Sequence, residues 1–307
     1  MCLNYLGSTL MILNRFKMYR QQLQTKFFFE KDAKNWQKKS DIKKNRLLNT
    51  IQERNFFVIQ KIKDLKINSL IDVGCGTGDL SFEASKIIQD STGIDFSKNM
   101  IKLAQKKFKR KNLNFFNKNF FELNPNQNFD CLSANGFIEY LSLKDINKFL
   151  KISKKIVKRN KFIIFGTRNR LFNLFSLNKF SHNEFKKPSF KKFYEESIAL
   201  NNFKFKDFIK LKKNKFEEVL FKQPKTGVNV DKRHQFSPLQ IVDLLKRNNF
   251  EPLDFFPINY HPVVPTKYNN NKESRMFSNL IYLSRDNNRL PYLPFSSSFM
   301  VLAKNKK

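Results

Sequence analysis

Cysteine is scarce in this 307-residue chain: Cys2, Cys75 and Cys131 are the full set, and no two form a C-x-x-C pair. The three histidines, His182, His234 and His261, are scattered. That excludes a disulfide framework and a zinc-ligand pattern, so no metal site is expected and a reducing cytoplasm fits. No run of 18 apolar residues occurs, so no transmembrane helix is expected. The opening stretch, MCLNYLGSTLMILNRFKMYR, lacks the basic leader of a secretory signal. Little before Tyr19 reads as structured, and Met11 and Met18 are alternative starts. Acidic residues are also short: 26 Asp and Glu face 59 Lys and Arg, a net charge of +33. The excess is spread along the chain rather than gathered in a tail. It reads either as compositional drift, since Lys, Asn, Phe and Ile are all plentiful, or as a surface for an anionic partner such as nucleic acid, a membrane face or a phosphorylated substrate.

What is present is a core-forming sequence, 40% hydrophobic, long enough for one large α/β domain with an insertion. Residues 19–66 read as helices, with Leu48, Ile51, Val58 and Ile62 as a stripe that Asn55 interrupts. From residue 67 the pattern alternates. Strands are expected at 69–73, 92–95, 113–116, 129–134 and 161–166. Helices fall between them at 79–88, 98–108, with Ser97 as N-cap, and 145–157. Alternation stops over 168–233, rich in Phe and Lys, and resumes at SPLQIVDLLKRNNF, where Ser237 is an N-cap and Pro238 suits the first helical position. Strands at 252–258 and 297–304 complete the set. The expectation is a Rossmann-like sheet of seven strands, mostly parallel, with helices on both faces. Residues 1–66 form a helical extension, and 67–307 one domain with a lid insertion at about 168–233.

Of the eight glycines, three crowd into one turn, LIDVGCGTGDL, at Gly74, Gly76 and Gly78. Glycine there permits backbone angles and close approaches that a Cβ blocks, and the helix that follows offers free N–H groups. The spacing is G-x-G-x-G rather than the dinucleotide G-x-G-x-x-G. Asp72 precedes it, which repels phosphate and suits a cationic ligand. Asp95 ends the next strand, where a carboxylate can accept from both hydroxyls of a ribose.

IDVGCGTG followed by GIDFS resembles the first two motifs of class I S-adenosylmethionine-dependent methyltransferases, with the likeness strongest over about 67–167. The resemblance implies S-adenosylmethionine as cofactor and an antiparallel last strand. It implies that Asp72, Gly74, Cys75, Gly76 and Gly78 surround the methionine part, that Asp95 holds the ribose and that Phe96 lies against adenine. Asn119 and Phe120 stand where the family commonly has an acid for the adenine amino group, and an amide oxygen can accept the same bond. Asn135 would touch the methionine end.

The fourth strand runs into Ala134, Asn135, Gly136 and Phe137, without the prolines of amide and adenine N-methyltransferases, which argues against that chemistry. GTRNRLFN, the 232–255 segment and NYHP are similar to ubiquinone-biosynthesis O-methyltransferases, whose His-x-Phe matches His234 and Phe236. Those enzymes carry metal-associated carboxylates and a histidine after the fourth strand. Here only Glu139 matches, beside Gly136 and Tyr140, and Glu139 reads as structural. His234 is the candidate general base, with a purely structural hydrogen-bonding role as its alternative. Tyr140 is a second candidate facing substrate.

In the insertion, Phe205, Phe208, Ile209, Phe216, Val219 and Leu220 share one helical face flanked by lysines, and Leu171, Leu174 and Phe175 have helical spacing. A lid over the substrate pocket is one reading, and a lid that also lies on an anionic membrane is another. Three functions are carried forward. The first is methyl transfer to an oxygen of a small, sugar or lipid-linked acceptor in the cytoplasm, with peripheral membrane contact open. The second is an RNA methyltransferase using the basic surface. The third is a non-catalytic, membrane-associated protein that binds S-adenosylmethionine.

Overall fold

Two faces of one sheet bury two sets of side chains because successive residues of a strand point opposite ways. In the computed structural model the described residues are 3–40, 47–124, 128–211, 220–221, 233–265, 276–277, 279–281 and 288–306. Helices α1 (Leu3–Ser40) and α2 (Thr50–Asp64) precede β1 (Ser69–Val73), α3 (Asp79–Ser85), β2 (Asp90–Asp95), α4 (Lys98–Lys107) and β3 (Leu113–Asn117). Next come β4 (Phe129–Ala134), α5 (Leu143–Ile156) and β5 (Val157–Asn169). The insertion holds α6 (Phe172–Phe175), α7 (Lys179–Phe185), α8 (Phe190–Asn202), α9 (Phe205–Phe208) and β6 (Leu220–Phe221). The chain closes with β7 (Arg233–Phe236), α10 (Pro238–Arg247), β8 (Phe250–Tyr260) and β9 (Ser296–Asn305).

The main sheet runs β3-β2-β1-β4-β5-β9-β8, parallel from β3 to β5, with β9 antiparallel to both its neighbours. The expected seven-stranded architecture and its antiparallel last strand are borne out, with β7 and β6 added beside the end of β5. Within β4, β5 and β9 the neighbours Cys131 and Leu132, Ile164 and Ile163, Met300 and Val301 divide between the two faces. One face packs on Phe57, Val58 and Ile62 of α2 and Leu80 and Ala84 of α3. The other packs on Phe149 of α5, Leu245 of α10 and, from the insertion, Phe193, Leu200 and Phe208.

Local signals set the helix starts. Ser97 accepts from Met100 N, and Ser237 forms a capping box with Gln240 behind Pro238. Asn49 forms another capping box with Gln52 at the start of α2.

Three expectations change. A helix runs from Leu3, not from about residue 19. The buried face of α2 carries Gln52, Glu53 and Arg54 together with Phe57, Val58 and Ile62, while Leu48 and Ile51 are only half-buried. Strand β5 extends three residues past Gly166, because Thr167 and Arg168 still pair with β9. At its far end Arg168 and Asn169 also pair with β7. Arg168 faces β9 on one edge, so β7 occupies the other, in line with β4, whose pairing stops at Phe165.

The insertion packs into the core. Leu171 and Leu174 are buried, and Phe205 and Ile209 pack beside Phe208. The proposed helical face does not continue to residue 220, since α9 ends at Phe208 and Leu220 lies in a strand. Phe216 and Val219 lie outside the described residues. No described helix is long and apolar enough to cross a membrane.

Candidate active site

Open parallel sheets bind ligands beyond the carboxyl ends of their strands, and the glycine turn sits there, after β1. Gly74, Gly76 and Gly78 have φ of +69°, +55° and +82°. Each is glycine for a different reason. A Cβ on Gly78 would fall 2.5 Å from the Phe115 ring, one on Gly74 3.3 Å from Phe137, and one on Gly76 3.2 Å from Trp36 Nε1. The turn is pinned to the end of β2: Gly74 N and Cys75 N donate to Ile94 O, and Gly76 N donates to Asp95 at 3.0 Å. The other Asp95 oxygen accepts from Ser97 N at 2.8 Å. Burial raises Asp95 to about 6, partly offset by those two amide donors. Burial also raises Asp72 to about 7, with Ser81 donating to it at 2.9 Å and the Asp95 charge adding to the rise.

A cavity of about 530 Å³ opens beside this turn, within the ~300–1,000 Å³ range of small-molecule sites. Among the residues singled out from sequence, Gly74, Gly76, Asp95, Phe96, Asn119, Phe120, Asn135 and Tyr140 line it. Asp72, Cys75, Gly78 and His234 do not. Asp72 lies beneath the turn against Ser81. Cys75 packs with Ile101, Ala104 and Phe115, where burial lifts its thiol well above the usual range. Gly78 serves the packing of β3. Asn119 Oδ1 accepts from Phe121 N at 3.2 Å and retains a second lone pair. Asn135 donates to Asn55 Oδ1 at 3.2 Å, and its own Oδ1 is buried with no hydrogen-bond partner among the described residues.

The outer wall is α1, a helix expected from about residue 19 whose place at the cavity the sequence did not indicate. Its Glu30 carboxylate accepts from Lys98 N and Asn99 N at 2.8 and 3.0 Å, capping α4. Ser40 donates to Asp79 at 2.7 Å, and Asp79 also pairs with Lys107 at 2.8 Å. Trp36 stands over Gly76, and Phe29 meets both Trp36 and Tyr140 edge-on. By contrast, the described part of 168–233 reaches the cavity only through Arg168 and Arg233, at its two ends.

Three arginines meet one acid across the cavity. Arg233 donates to Glu139 at 2.6 and 3.1 Å and to the Tyr140 hydroxyl at 2.7 Å, with its guanidinium over the Tyr140 ring. Arg168 pairs with Glu139 at 3.5 Å. Arg54 projects past Gly136 and donates to Ser298 at 3.2 Å. Burial pushes Glu139 up, but Arg233, Arg168 and Arg54 more than reverse this and hold it at about 2. Burial, then Glu139, push the Tyr140 phenol to about 12. Burial pulls Arg168 down to about 10 against the pull of Glu139, so it stays charged at neutral pH.

Glu139, read from sequence as structural, is an ion-paired residue that lines the cavity. Tyr140 lines the cavity and stays protonated. His234 is separated from it: side chains alternate along β7, so with Arg233 facing the cavity the His234 ring turns away, stacked on Phe236 at 5.9 Å. Of the missed residues, only Arg54 carried a sequence signal. Ile51, Arg54, Val58 and Ile62 follow helical spacing, so a charge stood within an apolar stripe.

Residues 70–160 match the family model described as a methyltransferase domain. The chain is 29% identical over 163 residues to a ubiquinone biosynthesis O-methyltransferase of Pasteurella multocida, covering 48% of this chain and 66% of that protein. It is 30% identical over 119 residues to the Pelagibacter ubique protein of the same description, covering 38% and 49%. It therefore spans less than two thirds of the length of these curated relatives. A solved magnesium protoporphyrin IX methyltransferase from Synechocystis PCC 6803, with bound S-adenosylhomocysteine, superposes with a TM-score of 0.51 at 13% identity. That match covers 92% of this chain and 98% of the other, and it is a likeness of fold.

Proposed function

We propose that this chain, a class I S-adenosylmethionine-dependent methyltransferase by its domain match and fold, transfers a methyl group from S-adenosylmethionine to an oxygen of a small molecule. The observation that carries the reading is the division of the cavity. The strand order β3-β2-β1-β4 sets Asp95, Phe96 and Asn119, at or just past the ends of β2 and β3, on one side of Gly74 and Gly76, and Asn135, after β4, on the other, where Arg54 lies beside Gly136. The first end suits a nucleoside: a carboxylate for two ribose hydroxyls, an aromatic face and an amide acceptor. The second suits an amino-acid zwitterion, with a buried, unpartnered amide oxygen for its ammonium and a guanidinium for its carboxylate. S-adenosylmethionine, when bound, supplies the sulfonium methyl group.

The residues at the acceptor end favour alignment over proton removal. Glu139, held at about 2, accepts no proton at neutral pH, and Tyr140, at about 12, stays a donor. Displacement at a sulfonium carbon needs in-line geometry and a site that excludes water. Trp36 and Phe29 of α1 contribute to that exclusion. Similarity to the two ubiquinone biosynthesis O-methyltransferases supports an oxygen acceptor. The test is transfer of labelled methyl from S-adenosylmethionine to fractionated cell extract. Label in a small-molecule or lipid fraction is expected. Label in RNA would overturn the acceptor class while keeping the donor.

A further inference from the structure

The arginine cluster carries more positive charge than its acid neutralises. Arg54, Arg168 and Arg233 line the cavity, and Glu139 is the carboxylate among them. Arg233 is committed, with two bonds to Glu139 and one to Tyr140. Arg168 differs. Among the described residues its side chain makes one ion pair, from Nε to Glu139 at 3.5 Å, and that pair falls short of a hydrogen bond. Yet its backbone is fixed at the end of β5, between Ser298 of β9 and Gln235 of β7. A guanidinium that is 29% exposed and makes one long ion pair keeps donors available for an arriving anion. The same cavity also has apolar and aromatic lining from Ile51, Phe29, Phe137 and Leu141.

We infer that Arg168 anchors a carboxylate borne by the methyl acceptor, whose body is apolar or aromatic. This rests on the methyl-transfer reading of the cavity. Charge balance selects a monoanion. With Arg54 assigned to the cofactor carboxylate and Glu139 set against the cluster, one positive charge remains. The planar guanidinium matches a planar carboxylate through two parallel N–H donors. A phosphate monoester, mostly dianionic at neutral pH, exceeds the charge left within the arginine cluster. The carboxylate is an anchor that orients the acceptor toward the sulfonium end and is not itself the reacting atom.

The test uses the full chain saturated with S-adenosylhomocysteine and titrated calorimetrically with benzoate, benzamide and phenyl phosphate. Benzoate is expected to bind at least about tenfold more tightly than benzamide, its neutral isostere, as expected for a charge-assisted buried contact. Arg168→Met is expected to erase that ratio while leaving S-adenosylhomocysteine affinity within about twofold, because only the acceptor-side charge is removed. Arg168→Lys restores part of the preference by restoring the charge. Equal binding of benzoate and benzamide, or a preference that survives Arg168→Met, overturns the inference. Tightest binding of phenyl phosphate overturns the carboxylate assignment. Absence of S-adenosylhomocysteine binding overturns the donor reading and the inference with it, whereas cofactor binding without a benzoate preference overturns the inference alone.

Discussion

The N-terminal helices and the 168–233 insertion both lie outside the segment that matches the methyltransferase domain, and the structure gives them opposite tasks. The insertion looked like the lid, with its Phe-rich helical face flanked by lysines. Its described helices instead bury Phe193, Leu200 and Phe208 in the main core. Helix α1, nearly featureless in its apolar pattern, walls the cavity with Phe29, Trp36, Gln22 and Thr25. An apolar stripe reports what a helix buries, and a core buries more than a lid does. A wall that admits a polar ligand needs mixed side chains and a few well-placed rings, which leave little periodicity.

That contrast sets the scale of the expected effects. Phe193→Ala in α8 removes a fully buried ring that carries Arg170 over its face at 4.2 Å. It is expected to cost about 3–5 kcal/mol of folding stability, with cofactor affinity of the folded fraction unchanged. Thermal melting and calorimetry together check both halves. Trp36→Ala in α1 is expected to do the reverse. It should weaken S-adenosylmethionine binding about tenfold, the ~1.4 kcal/mol of one lost aromatic contact, and shift melting little. If Phe193→Ala lowered affinity and Trp36→Ala lowered stability, the roles given to the two regions would be exchanged.

The pH response offers a finer separation. The folded pKa of Asp72 is raised to about 7, above its unfolded value of 3.8, so the folded state holds the proton more tightly. Its contribution to stability therefore falls as pH rises from about 4 to 7, and Asp72→Asn is expected to flatten that part of the melting profile. Cofactor affinity is expected to move the opposite way, weakening below pH 6 as Asp95 protonates and can no longer accept from both ribose hydroxyls. A wild-type profile in which stability and affinity fall together on acidification from pH 7 to 5 would contradict this. The smallest effect is assigned to His234→Ala. With the ring turned from the cavity, turnover should stay within a fewfold, and a loss of about a hundredfold, the scale of a missing general base, would return His234 to the mechanism.

Much of the domain was legible in the sequence. Strands β1 and β4 end where their apolar runs end, and the caps at Ser97 and Ser237 follow from hydroxyls placed before helical stretches. Asp95 and the glycine turn pointed to the cavity, at the end proposed for the nucleoside. The end proposed for the acceptor was harder to see. Arg168 and Arg233 are two of 59 basic residues, and nothing in their spacing sets them apart. They meet Glu139 because β5 outruns β4 and β7 takes the vacated edge, a tertiary event with no local signature. The same alternation that brings Arg233 in turns His234 out, so a shift of one residue separated the expected base from the observed cation. The docking of α1 at the cavity stayed hidden because its anchors, Glu30 on the α4 amides and Ser40 on Asp79, are polar contacts to distant segments.

Trp36 is the sole tryptophan of the chain and stands over Gly76 at the cavity wall, so its emission reports on the central claim that α1 closes a S-adenosylmethionine site. Titrating the full chain with S-adenosylhomocysteine should give a saturable change in that emission. Asp95→Ala should move its midpoint by about ten- to a hundredfold, the ~1.5–3 kcal/mol of charged hydrogen bonds lost to the ribose. Flat emission across the titration, or a midpoint that Asp95→Ala leaves in place, would contradict the account.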